Sequence, residues 1–354
     1  MFNRKILVFT LLIAGLLTGC SNNSSNDADL NSAVSSELDD SQVSEEVIIY
    51  TAVEQQYCQP LFDQFESETG IKVLPVYDSE ANKTTGLVNR IIAEVDQPVC
   101  DVFWNNEFIQ TISLQEQSLL EAYNSIVAND IPDAYKDVDG YWTAIGGRAR
   151  VLLVNGDLLT ENQYPTTVYN FSDGSFNGED LALAYPAFGT TKTQVAAMYA
   201  LLGKQGGKEF LTNISSVGVQ IVDGNSVTKD MAAAGQVAVG YTDTDDAKVA
   251  IEAGYNVVMV YPDQEKDGIG TLITPSTIAL INNAPNQENG KLLIDFLLSV
   301  ENEQAMINNG FFDVSVRSGE SEFGVKGMDL NLREIYNMLE VAAADVEEIF
   351  INAN

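Results

Sequence analysis

From residue 46 onward, the apolar positions alternate between short unbroken runs and helical spacing. Glu46–Tyr50 is a compact apolar run that predicts a strand. Pro60 is read as opening a helix with Leu61, Phe62 and Phe65 on one side, closed by Gly70. Ile71–Val76 predicts the next strand. Lys83-Thr84-Thr85-Gly86 starts a second helix with Leu87, Ile91 and Val95 in phase, and Asp101–Trp104 is a third strand. Arg148–Asn155 then reads as a strand that leaves this group. A second alternating set follows: strands at Leu181–Tyr185, Val219–Val222, Val237–Tyr241 and Val257–Tyr261, with helices through Thr193–Leu202 and Ser226–Ala234. Thr277–Ile281 and a helix at Glu288–Leu298 look like a return to the first group. A last helix, about Asn331–Asn354, places Leu332, Ile335, Leu339, Ala342, Val346 and Ile349 on one packing face. Strands alternating with helices over short connections predict a mainly parallel α/β sheet.

The residues ahead of this body follow another pattern. Arg4 and Lys5 precede the apolar run Ile6–Leu17, which has the form of an export signal and is short for a membrane span. Leu16-Leu17-Thr18-Gly19-Cys20 resembles a bacterial lipobox, which implies cleavage after residue 19 and a lipidated Cys20 as the first mature residue. In Ser21–Glu46, 19 of 26 residues are Ser, Asn, Asp or Glu, too polar to bury a core, so residues 20–46 read as an anchor and an acidic tether. Such a tether reaches roughly 30 Å.

Composition narrows the chemistry. The chain has 354 residues, 51 acids, 18 Lys plus Arg and no His, for a formal charge of −33. Loss of residues 1–19 takes two positive charges and no acids, leaving −35. Without His there is no Ser-His-Asp or Cys-His catalysis and no imidazole-bound zinc. Without a basic stripe there is no electrostatic footprint for nucleic acid. Gly174-Ser175-Phe176-Asn177-Gly178 is not in nucleophile-elbow order, and Asp137-Val138-Asp139-Gly140 lacks the closing Glu of a calcium loop. No cofactor fingerprint is present. Cys58 and Cys100 fall at opposite ends of parallel strands, beyond the roughly 7 Å Cα limit for a disulfide, and are expected as buried free thiols.

Several stretches, in order over some 270 residues, carry a family likeness: Ile49-Tyr50-Thr51-Ala52, Phe65–Ile71, Lys83–Arg90, Asp101–Glu107, Arg148-Ala149-Arg150-Val151, Phe188–Thr191, Thr242–Ala247 and Tyr261-Pro262-Asp263. The body resembles the extracellular solute-binding proteins of ABC importers, in the iron(III)-binding or family 1 group. That resemblance implies a type II periplasmic-binding fold, with two α/β lobes joined by two crossover strands and a ligand cleft between them. Residues 47–153 with 274–354 would form one lobe and 154–273 the other. It also implies a non-enzymatic, monomeric binding protein, exported to the periplasm or cell surface and serving a permease in the inner membrane.

Ligands of open α/β sheets sit beyond the carboxyl ends of strands, often at helix starts. Polar residues at such places are Thr51, Glu54, Thr84, Thr85, Asn105, Asn106, Arg148, Thr190, Thr191, Tyr241, Thr242 and Asp243. For the Thr pairs, helix capping is the competing role, worth about 1 kcal/mol. An ion pair competes for Arg148 and Arg150, which share a strand face, and Trp104 is expected to pack against the cleft wall. Three cargo readings stay open. A small organic anion such as a phosphonate, sugar phosphate or carboxylate suits Thr-rich helix starts and is slightly preferred. Iron(III) would need separated tyrosines such as Tyr57, Tyr77 and Tyr241, because no Tyr-Tyr pair occurs. A carboxylate-based exported hydrolase is the remote third.

Overall fold

The computed structural model describes residues 45–78, 86–317 and 325–350. The signal-like segment, Cys20, nearly all of the acidic stretch, Lys83, Thr84, Thr85 and the end of the last helix lie outside them. The described residues belong to one unit, Ser44–Asn354.

The first group of elements runs β1 (Glu46–Thr51), α1 (Gln55–Thr69), β2 (Lys72–Tyr77), α2 (Gly86–Ala93), β3 (Val102–Asn105), α3 (Ile109–Glu116) and β4 (Leu120–Glu121). A long strand, β5 (Thr143–Asn155), leads to β6 (Leu181–Ala184), α4 (Gly189–Val217), β7 (Gln220–Val222), α5 (Asn225–Ala233), β8 (Val239–Asp243), α6 (Thr244–Glu252) and β9 (Val257–Val260). The chain returns through β10 (Ile273–Ile281), α7 (Gln287–Leu297), α8 (Val300–Asn308) and α9 (Leu332–Phe350). The order β2-β1-β3-β10-β5-β8-β6-β7 contains two parallel triads, β2-β1-β3 and β8-β6-β7. Antiparallel β10 and β5 join them.

β5 makes this join because it is long enough to belong to both sheets. Residues 143–149 pair with β10, whereas Arg150–Val154 pair with β8 and Leu152–Asn155 with β9. Its positions are nearly all buried, as a strand covered on both faces must be. This is the type II periplasmic-binding fold. Asn105, Asp243 and the start of α4 therefore lie at carboxyl ends of parallel strands or just beyond them, where the crossover geometry leaves a crevice.

Some boundaries differ from the sequence expectation. α1 begins at Gln55, so Pro60 lies inside the helix rather than at its start. The missing N–H would have met the carbonyl of Gln56, still in the first turn, where the loss of a ladder bond disrupts least. Gly70 closes the helix in the left-handed conformation, as expected. α2 ends at Ala93, which leaves Val95 exposed instead of in phase. α3 and α8 are not evident in the sequence pattern: each spans two to three turns, too few for periodicity to declare itself. The last helix, expected with the first lobe, packs mainly on α4. Asp345 accepts from Tyr199 (2.8 Å) and Lys208 (2.9 Å), while Arg333 at its other end pairs with Glu116 of α3. An apolar stripe requires a facing surface but does not name it. Cys58 and Cys100 are buried free thiols.

Candidate functional site

A cavity of about 550 Å³ opens between the two sheet groups. One wall comes from the first group: Glu54 before α1, Tyr57 on it, Asn106 after β3, Ile109 and Gln110 on α3, and Gly310 and Phe311 after α8. The opposite wall is the first turn of α4, with Gly189, Thr190, Lys192 and Thr193, together with Asp245 of α6. Arg148 on β5 and Thr274 on β10, paired neighbours at the crossover, line it as well.

The expected residues divide into three groups. Glu54, Asn106, Arg148 and Thr190 line the cavity. Thr51, Asn105, Thr191, Tyr241, Thr242 and Asp243 are buried and absent from its lining. Thr84 and Thr85 lie outside the described residues. Among the buried ones, Thr51 accepts from the Val53 N–H to shape the turn after β1. Asn105 donates to Glu107, whose carboxylate also accepts from the backbone of Ile109 and Gln110. Burial pushes the Glu107 carboxyl up against the pull of those donors. Trp104 is fully buried and meets Phe62 edge-on at 6.4 Å, so it serves the core.

Beneath the α4 wall lies a closed polar network around Arg150, which is 0% exposed. Its guanidinium donates to Asp243 (3.0 Å), Asn225 (3.0 Å), Thr190 (3.1 Å), Thr191 (3.3 Å) and the Tyr241 carbonyl (3.3 Å). It also stacks 4.6 Å from the Tyr241 ring centroid. Thr190 donates its one hydroxyl proton to Asp243 at 2.6 Å, and Asn225 donates to Thr190 and Asp243. The starts of α4, α5 and α6 thus converge on one internal ion pair, and the Thr190 hydroxyl is already committed inside the protein. Thr242 donates to the Asn225 carbonyl. Arg148 and Arg150 share a strand face as expected, yet their roles differ: Arg148 is 34% exposed at the cavity and pairs with Asp245 at 2.9 Å.

Asp243, Asp245 and Asp246 bring carboxylate oxygens within 4.8 Å of one another. Two of the three already face a guanidinium. Of the tyrosines named for iron, Tyr57 alone lines the cavity. Tyr77 donates to Gln59 at 3.1 Å, and the Tyr241 ring lies buried between Arg150 and Phe171. Burial holds the phenols of Tyr77 and Tyr241 well above their usual pKa.

Sequence reasoning missed Lys192, Thr193, Thr274, Asn225 and Phe311. Lys192 carried a legible signal: a cation in the first turn of a helix opposes the macrodipole by about 0.3–1 kcal/mol unless an anion compensates. Its ammonium is half-buried and makes no ion pair or side-chain hydrogen bond among the described residues. Phe188, the N-cap of α4, offers no side-chain acceptor, so the first N–H groups of this helix lack a cap from that residue. The wall therefore presents to one cavity an ammonium with no partner among the described residues and the positive end of a helix dipole, the chemistry of an anion seat.

Residues 94–325 match the family model described as bacterial extracellular solute-binding protein. The iron uptake protein A1 of Synechocystis is 24% identical over 287 residues, covering 78% of this chain and 77% of its own. A putative 2-aminoethylphosphonate-binding periplasmic protein of Salmonella typhimurium is 27% identical over 263 residues, covering 73% and 74%. Among solved structures, ferric iron-binding protein A of Mannheimia haemolytica in an open conformation superposes with a TM-score of 0.75 at 20% identity, covering 86% of this chain and 98% of that one.

Proposed function

The chain belongs to the bacterial extracellular solute-binding proteins, and on that premise we propose that it captures a small organic anion in its cleft without chemical turnover. The observation that carries this reading is Lys192, half-buried and without an ion pair among the described residues, at the start of α4, whose N-cap supplies no side-chain cap, in a 550 Å³ cavity. A chain with 51 acids and 18 Lys plus Arg has ample carboxylates with which to neutralise a stray ammonium. One left facing a cavity, where the helix dipole already disfavours it, supports an anion supplied from outside. The relative named for 2-aminoethylphosphonate fits the same chemistry. Relatives named for iron uptake and for ferric iron binding keep iron as the competing cargo, but Tyr57 is the single member of the Tyr57, Tyr77 and Tyr241 set at the cavity.

In this reading the protein is a monomeric receptor that hands its solute to an ABC permease, and it is exported and held at the membrane through Cys20. Residues 47–153 with the returning β10, α7 and α8 act as one lobe and 154–273 as the other, with α9 lying across both.

Calorimetry with methylphosphonate, glucose 6-phosphate and ferric citrate tests the cargo. Lys192→Met removes a charged donor and should weaken anion binding roughly 10- to 150-fold, the equivalent of about 1.5–3 kcal/mol. Its unfolding temperature should stay level or rise as the dipole conflict disappears. Unchanged anion binding, together with a ferric tyrosinate band that Tyr57→Phe abolishes, would restore iron.

A further inference from the structure

The two walls of the cleft differ in kind. The α4 wall carries Lys192 and, beside it, Asp245 paired with Arg148, whereas the facing wall carries the rings of Tyr57 and Phe311 along with Glu54 and Glu107. Tyr57 and Phe311 lie 5.2 Å apart, tilted by 45°, and both line the cavity. Phe311 is backed by Phe312 at 5.0 Å, a fully buried ring lodged where a Cβ on Gly146 would come within 2.2 Å of it. Gly146 has a φ of +39°, so backbone and ring are fitted to each other there and the aromatic pair stands on a close-packed base. Ile109 extends the apolar surface. Gly310 precedes Phe311 at a φ of +85°, with nothing within 4 Å of where its Cβ would lie, and Phe311 itself is half-buried at the cavity. Across the cleft, Phe188 next to Gly189 is 71% exposed.

A bare tetrahedral anion would occupy a small part of 550 Å³ and touch one wall only. Resting on the anion reading above, we infer that the solute is an organic anion with a ring-sized flat apolar body: its charged end lies at Lys192 and the start of α4, and its body lies against Tyr57 and Phe311. Phe311 then acts as a specificity-determining residue that separates such solutes from inorganic phosphate and from small alkyl phosphonates. The free-energy source is burial of a ring face on preorganised aromatic side chains.

Three probes share one head group and differ in the body: inorganic phosphate, methylphosphonate and phenylphosphonate. Titration calorimetry on the full chain should rank phenylphosphonate roughly tenfold or more above methylphosphonate, with phosphate weakest. Phe311→Ala should shrink the phenyl-to-methyl ratio to within about threefold, chiefly through loss of phenylphosphonate affinity. Phe311→Leu, which keeps apolar bulk on Phe312, should fold as the parent does and recover part of the ratio. Equal affinity for all three probes in the parent, lowered in common by Lys192→Met, would overturn the ring-binding inference and leave the anion reading standing. A preference for phenylphosphonate that survives both Phe311 variants would overturn the assignment to this wall. Failure of all three probes to bind the parent would overturn the anion reading and this inference with it.

Discussion

Arg150 and Arg148 are two residues apart on one strand, and their energetics are opposite. Arg150 is sealed in with Asp243, and hydrogen bonds from Nη1 and Nη2 to five acceptors replace much of its hydration, while its Nε–H has no partner among the described residues. Removing one partner of such a pair strands the other charge in a low-dielectric interior, at a cost of about 3–5 kcal/mol. Arg150→Met should therefore lower the unfolding free energy, read from a denaturant titration, by an amount in that range. Arg148→Ala breaks a solvent-screened pair with Asp245 and should change stability by less than about 1 kcal/mol. Equal losses from the two variants would show that Arg150 is not the keystone described here. The same network shows what sequence leaves out about Thr190, which lines the cavity as expected but has its hydroxyl proton committed inside the protein. A hydroxyl at a helix start looks available to a ligand, but Asp243, 53 residues on, takes its proton.

At the scale of the element, α6 opens with three carboxylates in its N-cap and first turn: Asp243, Asp245 and Asp246. The dipole favours acids there, yet crowding outweighs it for Asp246. Burial first, then Asp245 and Asp243, push its carboxyl up from 3.8 to about 6. A raised carboxyl pKa means that the folded state holds the proton more tightly than the unfolded state. The contribution to stability is full below pH 3.8 and is lost as pH rises through about 6. Asp246→Asn removes that titration, so its unfolding curve should lose stability less steeply between pH 4 and 6 than the parent's. It should also stand above the parent at pH 7. Superimposable pH profiles would remove Asp246 as the source. Elements also differed in how far sequence revealed them. β1, β6 and β10 are short apolar runs bounded by turn residues, and they stand within a few residues of where the pattern put them. α3, with the sequence Ile-Gln-Thr-Ile-Ser-Leu-Gln-Glu, is too short and too mixed to show a phase.

For the whole molecule, the arrangement turns on β5, which pairs in both sheets, and on β10, which lies between β3 and β5. Each parallel triad can move relative to the other only through β5, β10 and the return to α9, which touches α3 at one end and α4 along its length. A solute that meets both walls favours the arrangement that brings them together, because only differential affinity shifts such a balance. At this scale also belongs the membrane. No helix among the described residues is long and apolar enough to cross one, and the proposed attachment through Cys20 makes a prediction of its own. Cys20→Ser should leave an unprocessed precursor or release the protein from the membrane fraction. A processed variant that still sediments with membranes would end the anchor proposal.

The order of apolar runs and helical phases determined, from sequence alone, an α/β protein with its chemistry beyond strand ends. The ordered motifs from Ile49 to Asp263 determined its family. Local periodicity is enough for this, since each run of residues reports its own burial. What only the tertiary structure decided is which polar side chains face the cleft. Thr190, Asp243, Asn225 and Arg150 come from four separate segments, and whether a given hydroxyl is free depends on partners brought together only when β5, β8 and the starts of α4 and α5 meet. Lys192 and Phe311 lie 119 residues apart on opposite walls of one cavity. No spacing along the chain encodes that approach, because it follows from how two sheets pack around the strands that join them.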